Sequence, residues 1–146
     1  MAITSAICNS FKQEILEAEH NFTASTGNTF DIALYTSSAT LGASTTAYSS
    51  SNEITNSSGT AYTAGGEALT SVTPTLDSST AVCDFADVSW TSASFTANGC
   101  LIYNDSHATD AAVCAVAFGG DKTVSSGTFT VQFPAAAATT AIIRIA

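Results

Sequence analysis

Through most of the chain, apolar and polar residues alternate in short runs separated by turn residues. In 128–133, Phe129, Val131 and Phe133 alternate with Thr128, Thr130 and Gln132, the period of a strand with one buried and one wet face. Residues 111–118 are almost wholly apolar, which suits a strand covered on both faces. Ile142, Ile143 and Ile145 are β-branched and predict a further strand. Gly119-Gly120-Asp121 and Ser125-Ser126-Gly127 read as turns between strands, and Pro134 closes that block. Upstream, residues 30–35 place Phe30, Ile32 and Leu34 on one face. Asp31 on the other marks a face expected to be wet or at a sheet edge. Residues 67–72 with Thr75 predict a strand broken by Pro74, paired as a hairpin with 80–85 across the turn 76–79. A short strand at 88–90 carries Trp90, and a longer one at 95–103 has Phe95, Ala97, Leu101 and Tyr103 on one side. Residues 104–110 read as a loop.

Helical spacing is confined to residues 4–19. Ile7, Phe11, Ile15 and Ala18 form the stripe, and Cys8 and Leu16 widen it. Lys12, Gln13, Glu14, Glu17 and Glu19 face away. Thr4 or Ser5 is the candidate cap and Asn21 the candidate stop. A helix this short is marginal alone in water, so its stripe needs a surface: its own β-domain or a neighbouring subunit. The pattern as a whole predicts an all-β fold, an antiparallel β-sandwich of about eight strands, jelly-roll-like, with one N-terminal amphipathic α-helix. Residues 1–20 form the helix or arm and 21–146 the sandwich domain.

One stretch departs from this grammar. Residues 36–65 are dominated by Ser and Thr, interrupted by Leu41, Tyr48, Ile54 and Tyr62. Long irregular segments inside compact domains are uncommon and often functional. An ordered excursion is expected, anchored by Tyr48, Ile54 and Tyr62 and ended by Gly65-Gly66. Together with the helix stripe it supplies the candidate interface residues: Ile7, Phe11, Ile15, Leu41, Tyr48, Ile54 and Tyr62.

Composition narrows the partners. The 146 residues suit one domain. Only 10% are charged, the net charge is −9, and Lys12, Lys122 and Arg144 are the sole cations. Nucleic acid needs basic residues to neutralise phosphate, so it is excluded as a partner, and an anionic membrane surface is excluded by the same repulsion. Open sheet edges with few charges on them favour assembly with protein partners. Cys8, Cys83, Cys100 and Cys114 are irregularly spaced, without a C-x-x-C pair. They read as reduced, buried thiols rather than zinc ligands or a disulfide framework. No basic stretch followed by an apolar run resembles a secretory signal. No apolar run approaches the roughly 20 residues of a membrane span. Synthesis in a cytoplasm is expected.

Catalytic candidates are weak. Asp84 with Asp87, Asp105 with Asp110, and Asp121 in its glycine turn could supply calcium oxygens, but turn aspartates more often bond their own backbone. His20 and His107 lack companion ligands. There is no G-x-S-x-G elbow, and residues 119–123 lack the Gly-Lys pair of a phosphate loop. Tyr48, Tyr62, Trp90 and Tyr103 suit either a binding surface or a core with polar tips. No catalytic, cofactor or metal residue is assigned, and no enzyme is expected.

The segments NSFKQEILEAEHNF, DIALYTSSATLGASTTAYSSSNEI, GTAYTAGGEALT, FADVSWTSASFTANGCLIYN and FGGDKTVSSGTFTVQFP, with the IIRIA ending, resemble a group of small virion structural proteins of tailed bacteriophages. The resemblance covers nearly the whole chain. Cys100 stands where the group's pattern has Ala in GALIYN, which suits a small buried residue. The resemblance implies a virion component made in the host bacterial cytoplasm, and no enzyme. The leading expectation is a capsid decoration or cement protein that binds the major capsid protein and copies of itself. The alternatives are a tail or tail-fibre component touching host glycan through Tyr48, Tyr62 or Trp90, and a soluble carbohydrate-binding module or small hydrolase.

Overall fold

The computed structural model describes residues 2–55 and 57–146, so Met1 and Asn56, the latter within the Ser/Thr-rich excursion, lie outside the description. Among the described residues eight strands and one short helix follow in order: β1 (Ala6–Ile7), α1 (Asn9–Glu14), β2 (Phe30–Tyr35), β3 (Glu67–Ala68), β4 (Ser71–Asp77), β5 (Thr80–Phe85), β6 (Val88–Asn104), β7 (Ala111–Val131) and β8 (Ile143–Ile145). They build two antiparallel sheets, ordered β1-β7-β6-β2-β3 and β4-β5-β8. The all-β, sandwich-like architecture is the one the alternation predicts. Sequential pairs β2–β3, β4–β5 and β6–β7 are joined by the crossover pairs β1–β7, β2–β6 and β5–β8.

The long β6–β7 hairpin is the frame. The segments expected as separate strands are continuous, and the expected turns are bulges. Gly99 faces Ala117 while Ala97 faces Lys122, so β7 carries three extra residues around Gly119 and Gly120, both at positive φ. A second bulge on β7 holds Ser126, and one on β6 holds Ser92, each also at positive φ. Bulges keep a strand paired while bending it, which is why turn-type residues do not end it. Lys122 accordingly lies within the ladder, away from a hairpin end.

The expected 4–19 helix shrinks to six residues. Ala6 and Ile7 pair with Ala115 and Cys114 of β7, so Ile7 leaves the helical stripe. The candidate caps lie upstream of the helix, whose N-cap is Cys8 without a side-chain bond: the Thr4 amide donates to the Leu41 carbonyl, and Ser5 Oγ accepts from the Ala117 amide. Beyond α1, tight turn bonds run to Ala18, whose φ of 62° ends any helical continuation. Edge pairing with β7 satisfies more backbone groups than one further helical turn would. Ile3, Ala6 and Ile7 are therefore woven into the larger sheet and its strap, and α1 packs on β7.

Another predicted strand is split. Glu67 and Ala68 pair with β2, whereas Ser71 to Asp77 pair with β5. Pro74 does not break β4. It sits where the register shifts, on the outer strand of the small sheet, the position a sheet tolerates for proline.

One core joins the two sheets. Phe30 stacks on Phe22 with ring centres 4.3 Å apart, and both rings contact Phe85 of β5. Cys83 and Ile143 of the small sheet are buried in the same cluster. The opposite face of β2 is also covered: Ala33 and Tyr35 are buried and Asp31 is half-buried. The expectation of a wet face there fails because the excursion lies over it.

Candidate functional site

The excursion is a strap across the larger sheet. At one edge, the Ile3–Leu41 bridge and the Ala47–Ala111 bridge extend the pairing along β1 and β7. At the other, the Ile54 amide donates to the Leu34 carbonyl and the Thr36 amide to the Asn52 carbonyl, finishing the edge of β2 beyond β3. Midway, Tyr48 stacks on Tyr103 of β6, ring centres 4.7 Å apart. The strap thus supplies hydrogen bonds to two strand edges that would otherwise invite other chains.

Glu53 locks the strap in place. Its buried carboxylate accepts from Tyr62 Oη at 2.6 Å, Tyr48 Oη at 2.7 Å and the Gly65 amide at 2.7 Å. Tyr62 Oη in turn accepts from the Leu34 amide at 2.9 Å. Tyr35 and Tyr103 donate to the carbonyls of Ser49 and Gly65. Burial, then the Glu53 carboxylate, holds the Tyr62, Tyr48 and Tyr35 phenols well above their ordinary range, so all three stay protonated donors. Reasoning from sequence missed Glu53, although one signal was there: it is the sole acid between Asp31 and Glu67, and two tyrosines bracket it.

A second polar cluster sits where α1 meets the sheet. His20 is buried, with Nε2 2.8 Å from Glu14 Oε2 and Nδ1 3.1 Å from Asn104 Nδ2. The Asn104 amide as donor to Nδ1 leaves Nε2–H to donate to Glu14. Asn104 Nδ2 also faces the Glu19 carbonyl and Asn28 Oδ1. With both ring nitrogens engaged and no exposed edge, His20 ties the helix to β6 and has no free nitrogen for a substrate. His107 lies 3.6 Å from Glu19 at the surface.

The aspartates weighed as calcium ligands serve their own backbone and neighbours. Asp84 accepts from the Phe85 amide, Asp87 from the Phe133 amide and Asp121 from Asn98. Among the described residues no group of three or more His, Cys, Asp or Glu is disposed to hold a metal ion. Asp31 is unusual: burial, then the charges of Asp105, Glu67 and Asp110, pushes its carboxyl up to about 6. Its Oδ1 is buried without a partner. The four cysteines are free and buried. Burial pushes Cys8 and Cys83 up to about 11 and Cys100 to about 12, and Cys114 well above its ordinary value.

The candidate interface residues divide. Phe11, Ile54 and Tyr62 are buried inside the chain and present no surface to a partner. Ile7, Ile15, Leu41 and Tyr48 are half-buried against the same core. Tyr62, Trp90 and Tyr103 are almost wholly enclosed, so the expected glycan contact through Tyr62 or Trp90 has no exposed ring to stack on.

A surface absent from the sequence reading lies elsewhere. Leu76, Ala81 and Ile145 stand in register across β4, β5 and β8, so their side chains share one face. Leu76 is 71% exposed and Ile145 57%. The row runs into a cleft of about 410 Å³ between the small sheet and the turn after α1, with Ile15, Phe22, Cys83 and Ile143 in its walls. The sheet's inner face is thus covered by Phe22 and Phe30 at the Phe85 end and left open at the Leu76 end.

Comparisons of the chain with protein-family models, with curated proteins and with solved structures find no match. Among the described residues no helix is long and apolar enough to cross a membrane.

Proposed function

We propose that this chain is a structural protein of a tailed-phage virion, most simply a decoration or cement protein on the head surface. The observation that supports the reading is the open apolar row of Leu76, Ala81 and Ile145 on an otherwise acidic body. Apolar side chains left outward in a contiguous row mark a protein contact more often than an accident of packing. The tyrosines and Glu53 hold the strap internally, so the contact with the shell falls to the small sheet and α1's far end. The sequence resemblance to small virion proteins supports the same assignment. Many weak copies on a repeating lattice bind well in sum, because each tethered contact raises the effective concentration of the next.

Labelled antibody against the folded chain, applied to purified particles, tests the location. Signal distributed over the head supports decoration. Signal confined to the tail moves the protein to the tail reading, and bare particles overturn a virion role.

A further inference from the structure

We infer that the cleft beside Leu76, Ala81 and Ile145 receives an extended segment of a partner protein, apolar at its centre and flanked by lysine or arginine. The inference deepens the docking reading above, naming the chemistry of the partner for that surface. The cleft walls are mostly apolar: Ile15, Phe22, Cys83 and Ile143 line them, beside His20, Asn21 and Thr23. The flank on the helix side is acidic. Glu17 and Glu19 adjoin the lining residue Ala18 and are exposed; Glu17 accepts from Gln13, and Glu19 lies 3.6 Å from His107. Glu14, next to Ile15, is drawn to His20.

The cations near the cleft are turned to other work. Lys12 Nζ bonds Asn9 Oδ1 at 3.1 Å. Arg144 alternates with Ile143 and Ile145, so it points to the opposite face, where it bonds the Ala138 carbonyl. An apolar slot with negative charge along one side selects an apolar segment with positive flanks, since opposite charge at the rim steers association and fixes register. A second copy of this chain fits poorly, because each molecule carries −9 and brings the same acidic flank.

Competing occupants are separable by experiment. Three synthetic decapeptides with the same Leu/Ile/Val centre, flanked by lysines, by serines or by glutamates, would be titrated into the folded full chain. Affinity is expected to fall at least ten-fold from the lysine to the glutamate peptide, and the difference to shrink several-fold between 50 and 300 mM salt. Replacing the exposed Leu76→Ser and Ile145→Ser together is expected to weaken the lysine peptide ten-fold or more with an unchanged melting curve. Glu17→Lys, a surface change that does not touch the packing, is expected to narrow the lysine preference.

Equal binding of the three peptides, or binding indifferent to the Leu76 and Ile145 changes, overturns the inference. So does a concentration-dependent dimer abolished by the same changes, which assigns the cleft to a second copy. The two proposals fail separately. Charge-selective binding with bare particles removes the virion role alone, and decorated particles with indifferent peptides remove the cleft assignment alone.

Discussion

Glu53 shows how one side chain can tie distant parts of a strap, here Tyr48, Tyr62 and Gly65, to one point. It is a carboxylate taken out of water, and its solvation is replaced by two phenols and an amide. Truncation leaves those donors facing a void. Glu53→Ala is therefore expected to lower stability by roughly 2–4 kcal/mol, and Tyr62→Phe by about 1–3, read by denaturant unfolding. Asp31 works in the opposite direction. Its carboxyl is raised from 3.8 to about 6 in the folded chain. The folded state thus holds the proton more tightly than the unfolded one, so Asp31's favourable contribution is complete below about pH 4 and lost as pH rises through about 6. Asp31→Asn is expected to raise the melting temperature at pH 7, with the gain over the native chain vanishing below pH 4. A gain that is constant with pH would contradict this. The four thiols add a third check. Buried and held protonated, they are expected to resist an aromatic disulfide reagent at pH 8 in the native chain and to react, all four, on unfolding.

Elements were legible from the sequence where burial follows a simple period. The alternation at Phe129, Val131 and Phe133 appears as half-buried residues between exposed Thr128, Thr130 and Gln132. Three readings failed for one shared reason: local chemistry was outvoted by distant pairing. Gly119 and Ser126 bend β7 without stopping it because β6 runs alongside throughout. Ile7 leaves its helix because β7 offers an open edge. Asp31 signalled solvent, but the strap arrives from twenty residues away to cover that face. Glu53 and the Leu76 row escaped because their meaning depends on which strands become neighbours, and no period records that. The reduced helix makes its own test. Phe11 is buried against His20 and Phe22, whereas Leu16 is 88% exposed. Phe11→Ala is expected to cost about 3–5 kcal/mol. Leu16→Ser is expected to stay within about 0.5 kcal/mol, since surface changes rarely do more. Gly66→Ala belongs to the same scale. At φ 86° an added Cβ would overlap the Ile32 carbonyl, so the turn that returns the strap to β3 would have to move, and a fall in melting temperature of several degrees is expected.

The molecule as a whole puts most of its unusual features to internal use. Strap, tyrosines and buried histidine all close edges or tie elements together. What faces outward is a polar, net-acidic surface on which the Leu76, Ala81 and Ile145 row opens into a cleft. That division agrees with the docking role proposed above. It also explains why the aromatic residues, the obvious candidates for recognition in the sequence, do not serve it: they are the core and its polar ties. The proposal made above is that this chain is an abundant structural part of a virion head. Quantitative mass spectrometry of gradient-purified virus particles, from a culture that makes the chain, tests that proposal most directly. Hundreds of copies per particle, in fixed ratio to the major capsid protein, is the expected result. Particles that lack the chain would contradict the account.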